Sequence, residues 1–162
     1  MQNPAAPLIR RRATTAILTT DGSCTPNPGL AGYGCVLRTD GVVLEFSGSM
    51  GISTNNRAEF MAILVGLSKL KKRQRVLIRT DSKYAIQAIT VWVTKWKANG
   101  WRLRNGQPVK NRDLIEKIVK LVAVHRAKFK WVRGHTGDPD NERADQLAVQ
   151  AARTRDMKGV IL

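Results

Sequence analysis

The chain has 162 residues, 43% of them apolar and 25% charged, the size and balance of one globular domain rather than of a disordered or fibrous chain. Twenty-eight Lys and Arg against twelve Asp and Glu leave a net charge of +16, which favours a polyanionic partner and says nothing of fold. No apolar run approaches the ~18 residues of a membrane-spanning helix, and the opening MQNPAAPLIRRRATT lacks the apolar core of a secretory signal.

Cys24 and Cys35 make no disulfide framework, and their spacing to His125 and His135 matches no compact zinc site. The default compartment is therefore reducing, and a cytoplasmic location is expected. The expected organisation is a basic arm without fixed structure over residues 1–13, one domain over 14–153 and a frayed tail over 154–162.

The β-branched run Thr14–Thr20 predicts a strand stopping at Asp21-Gly22. The following CTPNPGLAGYG reads as a Pro/Gly loop. Tyr33–Arg38 and Val42–Phe46 read as two strands joined by the hairpin turn Thr39-Asp40-Gly41. Thr54-Asn55-Asn56-Arg57 then opens a long helix with Met61, Ile63, Leu64, Val65, Leu67 and Leu70 on a broad apolar face. Its KLKKRQR end suits the negative helix pole. Val76–Thr80 is a short strand ending at Asp81, and Ser82 is a good cap for a helix through about Ile89. Lys95–Pro108 reads as broken and polar, Asp113–Val124 as a helix and Lys128–Val132 as a last strand. A flexible Gly134–Pro139 loop leads into a final helix over Asn141–Arg153. Strands first, then helix and strand in alternation, indicate an α/β domain with a mixed sheet and helices packed on it.

With so few carboxylates, each can be weighed. Asp21 and Asp81 end the first and fourth strands, and ligand sites in open α/β sheets form where parallel strands end. Glu59 lies near the start of the long helix in an otherwise apolar region, and Asp145 follows Asn141 by one turn. Taken singly, each reads as an ordinary cap, turn or dipole-favoured residue. Taken together in a +16 chain, four oxygen-only side chains need a counter-charge, and hard Mg²⁺ or Mn²⁺ suits them.

The segments Asp21-Gly22-Ser23-Cys24, Thr54-Asn55-Asn56-Arg57-Ala58-Glu59, Thr80-Asp81-Ser82, Gly134-His135-Thr136-Gly137 and Asn141-Glu142-Arg143-Ala144-Asp145 resemble ribonuclease H type 1, in order, from about Thr15 to Ala152. The resemblance implies a five-stranded mixed sheet, three antiparallel strands followed by two parallel ones, flanked by helices. It implies endonucleolytic cleavage of the RNA strand of RNA–DNA hybrids, leaving 5′-phosphate and 3′-hydroxyl ends, and with it removal of RNA primers and R-loops. Asp21, Glu59, Asp81 and Asp145 match the metal-binding carboxylates, expected to hold two Mg²⁺ roughly 4 Å apart, with Mn²⁺ as a substitute. His135 matches an accelerating loop histidine that shuttles protons or helps product leave; His125, without such a flank, reads as an ordinary residue at a helix end.

The same resemblance implies a substrate surface. Cys24, Asn27, Asn55 and Asn56, with Ser23 and Glu59, match positions lining the minor groove, where the 2′-OH separates RNA from DNA. Thr54 and Asn111 match a phosphate pocket for the DNA strand, although Ile52 stands where some members carry a basic residue. Lys83, often uncharged in relatives, offers a further phosphate or groove contact. Tyr84, Trp92 and Trp96 match an aromatic channel, and Lys95, Lys97, Trp101 and Arg102 resemble a basic protrusion that grips the DNA strand. Read as residues alone, Trp101 and Trp131 are core packing. No membrane and no obligatory protein partner are implied, and a monomer is expected.

Other chemistries find less support. The Gly29–Gly34 glycines precede no Gly-Lys-Ser/Thr, and no serine sits in a nucleophile elbow. A non-catalytic binder that kept the fold remains open at this point, as does an integrase-like DNA nuclease. A binder of phosphates gains nothing from four carboxylates, however, and the histidine loop disfavours the second.

Overall fold

The computed structural model describes residues 14–154. The arm expected over 1–13 and nearly all of the tail expected over 154–162 lie outside the described residues. Five strands form one sheet in the order β3-β2-β1-β4-β5, with β1 over Ala16–Cys24, β2 over Gly29–Thr39, β3 over Val42–Ser53, β4 over Val76–Thr80 and β5 over Lys128–Trp131. β1, β2 and β3 pair antiparallel, whereas β4 runs parallel to both β1 and β5. This is the mixed sheet that the strand pattern indicates. Helices α1 (Asn55–Ser68), α2 (Lys83–Gln87), α3 (Val93–Ala98), α4 (Arg112–His125) and α5 (Pro139–Arg153) complete the fold.

Side-chain alternation along the strands divides the molecule into two layers. Leu18, Leu37 and Ile78 point to the face covered by α1, where Phe60, Ile63 and Leu67 meet Ile115 and Ile118 of α4 in the main core. Val36 points the other way, against Ala144 and Leu147 of α5. Each buried aliphatic or aromatic side chain of this kind contributes about 1.5–3 kcal/mol.

Three elements are longer than the sequence suggests. β1 runs through Asp21 and Gly22 to Cys24, and β2 begins at Gly29, four residues before the expected Tyr33, so Gly29–Gly32 is strand rather than loop. β3 continues past Phe46 to Ser53, including Gly48 and Gly51. The physical reason is packing. At Gly32 and Gly34 a Cβ would strike the backbone of α5, at Gly34 meeting Leu147 Cβ at 2.7 Å and Ala148 N at 2.8 Å as well as the Ala144 carbonyl. Glycine is present because the helix lies directly on the strand. The helix expected to end near Ile89 also continues, through a π-helical turn at Ala88–Trp92 into α3. Helix α5 starts at Pro139, with Asp138 as its cap accepting from the Asn141 N–H at 3.0 Å.

Gly34→Ala should cost about 1–3 kcal/mol by overpacking this contact. Thermal unfolding should then show a Tm lower by roughly 3–10 °C; an unchanged Tm would mean that α5 does not lie this close to β2.

Candidate active site

The β1/β4 register sets the first two carboxylates side by side. Ile17 pairs with Leu77 and Thr19 with Arg79, and two residues further on Asp21 comes level with Asp81. The third arrives from above the sheet. Glu59 stands just after the first turn of α1, whose start is fixed by Thr54 accepting from the Arg57 N–H at 3.2 Å. The helix presses onto β1 at Gly22, where a Cβ would lie 2.5 Å from the Glu59 nitrogen and 2.6 Å from the Ala58 carbonyl carbon. Gly22 is thus the residue that lets Glu59 reach Asp21.

Asp21, Glu59 and Asp81 each offer an oxygen, and these atoms lie within 4.8 Å of one another. Asp145 stands outside that triangle, on α5, near enough for its charge to raise the Asp21 carboxyl. Asp21 and Glu59 are 6% and 4% exposed. Burial, followed by repulsion from Asp81 and Asp145, pushes the Asp21 carboxyl up to about 8. Burial, then Asp21 and Asp81, raise Glu59 well above the ordinary range. Burial also raises Asp81, with His135 the largest opposing influence. Glu59 Oε2 is buried without a hydrogen-bond partner among the described residues.

The ion pairs are distributed unevenly. Asp40, Glu45, Asp113, Glu116, Asp138 and Asp140 each pair with a lysine or arginine. Among the described residues, none of Asp21, Glu59, Asp81 and Asp145 does so. The described lysines and arginines thus leave four mutually repelling carboxylates unpaired. An oxygen-only donor set with an orphaned buried oxygen and raised proton affinities fits a hard divalent cation.

His135 is exposed and in the left-handed region, φ 56°, on a loop lying against Asp81; a Cβ on Gly134 would lie 2.5 Å from Asp81 Oδ2. Two anchors of this region escape a reading by motif. Trp131 donates its indole N–H to the Asp81 carbonyl at 3.0 Å, with the Lys83 ammonium 4.5 Å from its ring centroid. The Arg79 guanidinium pairs with Asp138, which caps α5 just after the His135 loop. The core reading of Trp131 is therefore corrected: its ring is 43% exposed on β5. The core reading of Trp101 stands, since it is 8% exposed within the main core; it backs the protrusion from beneath rather than presenting its ring.

The other expected contact residues flank the cluster in two groups. Asn27 accepts from the Asn55 N–H at 3.1 Å, tying the β1–β2 loop to the start of α1 beside Asn56. The Cys24 thiol is turned inward, within reach of the carbonyls of Pro26, Ser53 and Gly29 at 3.3, 3.4 and 3.6 Å, so its side chain braces this loop. Arg57 links Thr54, whose hydroxyl caps it, to Asn111 at 3.3 Å and to Asp113 in a two-pronged pair at 2.6 and 3.0 Å. Running away from the cluster is an aromatic row: Phe60–Tyr84, Tyr84–Trp92, Trp92–Trp96 and Trp96–Trp101, with centroids 6.1, 5.4, 5.9 and 6.4 Å apart. Beside it stand the exposed Lys95, Lys97 and Arg102.

Comparison with known proteins matches this arrangement. The RNase H family model covers residues 13–153. Ribonuclease H of Desulforamulus reducens is 48% identical over 83% of this chain and 85% of the relative. That of Escherichia coli strain K12/DH10B is 47% identical over 82% and 86%. Among solved structures, LC9-RNase H1, a type 1 enzyme with the type 2 active-site motif, superposes with a TM-score of 0.75 at 30% identity, covering 87% of this chain and 73% of that one. LC11-RNase H1 in complex with an RNA/DNA hybrid gives 0.60 at 26% identity, covering 85% and 96%. Family match, sequence identity and a shared sheet all lead to one conclusion: the chain belongs to the RNase H family.

Proposed function

We propose that this protein is a divalent-metal-dependent endonuclease that hydrolyses the RNA strand of RNA–DNA hybrids. The observation that carries it is that, among the described residues, no lysine or arginine pairs with any of the four carboxylates, while nearly all other acids are ion-paired. Asp21, Glu59 and Asp81, with Asp145, would hold Mg²⁺, with Mn²⁺ as substitute. Bound there, the cations supply charge neutralisation at the phosphate and a water acidic enough to attack phosphorus.

The chain's own groups do the rest. The carboxylates are fixed by β1, β4, α1 and α5, so little reorganisation accompanies reaction. His135, exposed beside Asp81, moves a proton between solvent and the departing 3′ oxygen or the product phosphate. Asn27, Asn55 and Asn56 offer short donors and acceptors to 2′-hydroxyls in a wide, shallow minor groove. The Tyr84, Trp92 and Trp96 faces suit deoxyribose, which lacks that hydroxyl, and Thr54 with Asn111, braced by Arg57, suits a phosphate of the DNA strand. Lys83, Lys95, Lys97 and Arg102 add electrostatic attraction. Removal of RNA primers and R-loops in the cytoplasm, by a monomer, completes the proposal.

End-labelled RNA presented as hybrid, RNA duplex and single strand tests the reaction. Cutting of the hybrid alone, in Mg²⁺ and not in chelator, is expected. Asp21→Asn should lower the rate by roughly 10³-fold or more with hybrid affinity retained; substantial residual turnover would remove Asp21 from the metal set. Hybrid binding without any cutting would favour a binding module.

The raised carboxyls also set a stability profile. Unfolded, they lose protons near pH 4; folded and metal-free, Asp21 keeps its proton up to about 8. The native state then binds more protons than the unfolded state, so stability falls as pH rises through that window. In chelator, Asp21→Asn should flatten this decline and be more stable at the alkaline end by on the order of 2 kcal/mol. Unfolding curves that decline equally in both proteins would contradict the crowding of these groups.

Replacing Lys95, Lys97 and Arg102 together by alanine should weaken hybrid binding and reduce the slope of log K against log salt by roughly 2–3. An unchanged slope would move the electrostatic grip elsewhere.

A further inference from the structure

At the end of the sheet remote from the carboxylates, the start of β1 and the end of α4 enclose a hollow of about 650 Å³ lined by Thr15, Arg73, Arg75, His125 and Arg126. It adjoins a second hollow of about 400 Å³ that shares Thr15, Arg75 and Arg126 and adds Lys128. The separation from Asp21 is about 17 Å along β1, so neither belongs to the active site. From the size of the first, it accommodates a nucleotide-sized molecule.

Three observations bear on its occupant. First, Arg73, Arg75, Arg126 and Lys128 line these hollows with no carboxylate among the lining residues, and among the described residues none of the four is ion-paired. Most of the described lysines and arginines are likewise unpaired; these four are set apart by lining two adjoining hollows. Second, His125 lines the hollow while only 5% exposed, and its Nδ1 has no hydrogen-bond partner among the described residues. That atom is itself closed to solvent, so it lies behind the wall of the hollow, and the lining cations are the groups that an occupant would meet. Third, Arg126 is held in the left-handed region at φ 48° and ψ 44°, where side chains other than glycine are disfavoured.

The α4 C-terminus would by itself repel an anion. Its carbonyls are already engaged: Val122 accepts from the Ala127 N–H at 2.9 Å, Ala123 from the Arg126 N–H at 3.3 Å and Val124 from Arg73 Nε at 3.0 Å. Arginine forks match phosphate oxygens in geometry as well as charge.

We propose that this basic hollow is a second, non-catalytic site that binds a phosphate monoester or pyrophosphate group carried by a nucleotide-sized anion. It is independent of the hydrolytic reading of the carboxylate cluster. The test is thermal unfolding of the metal-free full chain at constant ionic strength, with pyrophosphate or ATP replacing chloride. At about ten times the dissociation constant, Tm should rise by roughly 3–6 °C, and the NMR signals of His125 and Arg126 should shift. Equal effects of the two anions assign recognition to the phosphate group; a larger effect of ATP adds a contact to its nucleoside. Arg75→Ala and Arg126→Gly, the latter also relieving the left-handed strain, should each weaken binding by about tenfold or more. Lys120→Ala, an equal loss of charge on the exposed side of α4, should not. A Tm rise of the same size in all variants, or none in the parent, would overturn the site and leave only the general attraction of a basic protein for anions.

Discussion

The structure depends on holding like charges together with no lysine or arginine paired to them among the described residues. Asp21, Glu59 and Asp81 bring oxygens within 4.8 Å of one another, and burial removes the water that would screen them. Such a cluster survives only if the elements carrying it are fixed by forces that do not involve it. Here those are the paired β1 and β4 strands and the apolar core formed by Leu18, Phe60, Ile63, Ile78 and Ile115. The core thus stabilises what the site destabilises, and the site's cost is reclaimed only when positive charge arrives.

Close backbone approach turns this into geometry. Gly22 and Gly34 sit on neighbouring antiparallel strands and admit helices on opposite faces, α1 at Gly22 and α5 at Gly34. The first contact delivers Glu59 and the second delivers Asp145. Glycine in a strand weakens it locally, so these positions trade strand stability for the distance between helix and sheet on which the cluster rests.

The sequence reveals the cluster better than its supports. Asp21 and Asp81 are legible because β-branched runs end at them, and five short motifs in order identify the family. The strand status of Gly29–Gly32 is not legible, since glycine-rich composition reads as loop unless the helix lying on it is known. Nor does composition separate Trp101 from Trp131: one fills the core behind a loop and the other faces solvent over an indole-to-carbonyl bond. Tryptophan suits both places, and only the topology, with β5 at the sheet edge, decides between them. Nor is the placement of the Cys24 side chain legible, since the inward turn of its thiol toward backbone carbonyls depends on the loop that folds over it.

The anchors around Asp81 also hold the loop that carries His135. Trp131 fixes the Asp81 backbone, and Arg79, on the same strand, reaches past it to Asp138 at the head of α5. The Gly134–Pro139 loop is therefore pinned at both ends, at Val132 by its N–H to the Thr80 carbonyl at 3.0 Å and at Asp138 by its arginine and cap. His135 lies on the short span between these anchors, exposed to solvent and next to Gly134, which packs on Asp81. The proton transfer proposed for it needs both features, a tether that keeps the imidazole near the carboxylates and an open path to water.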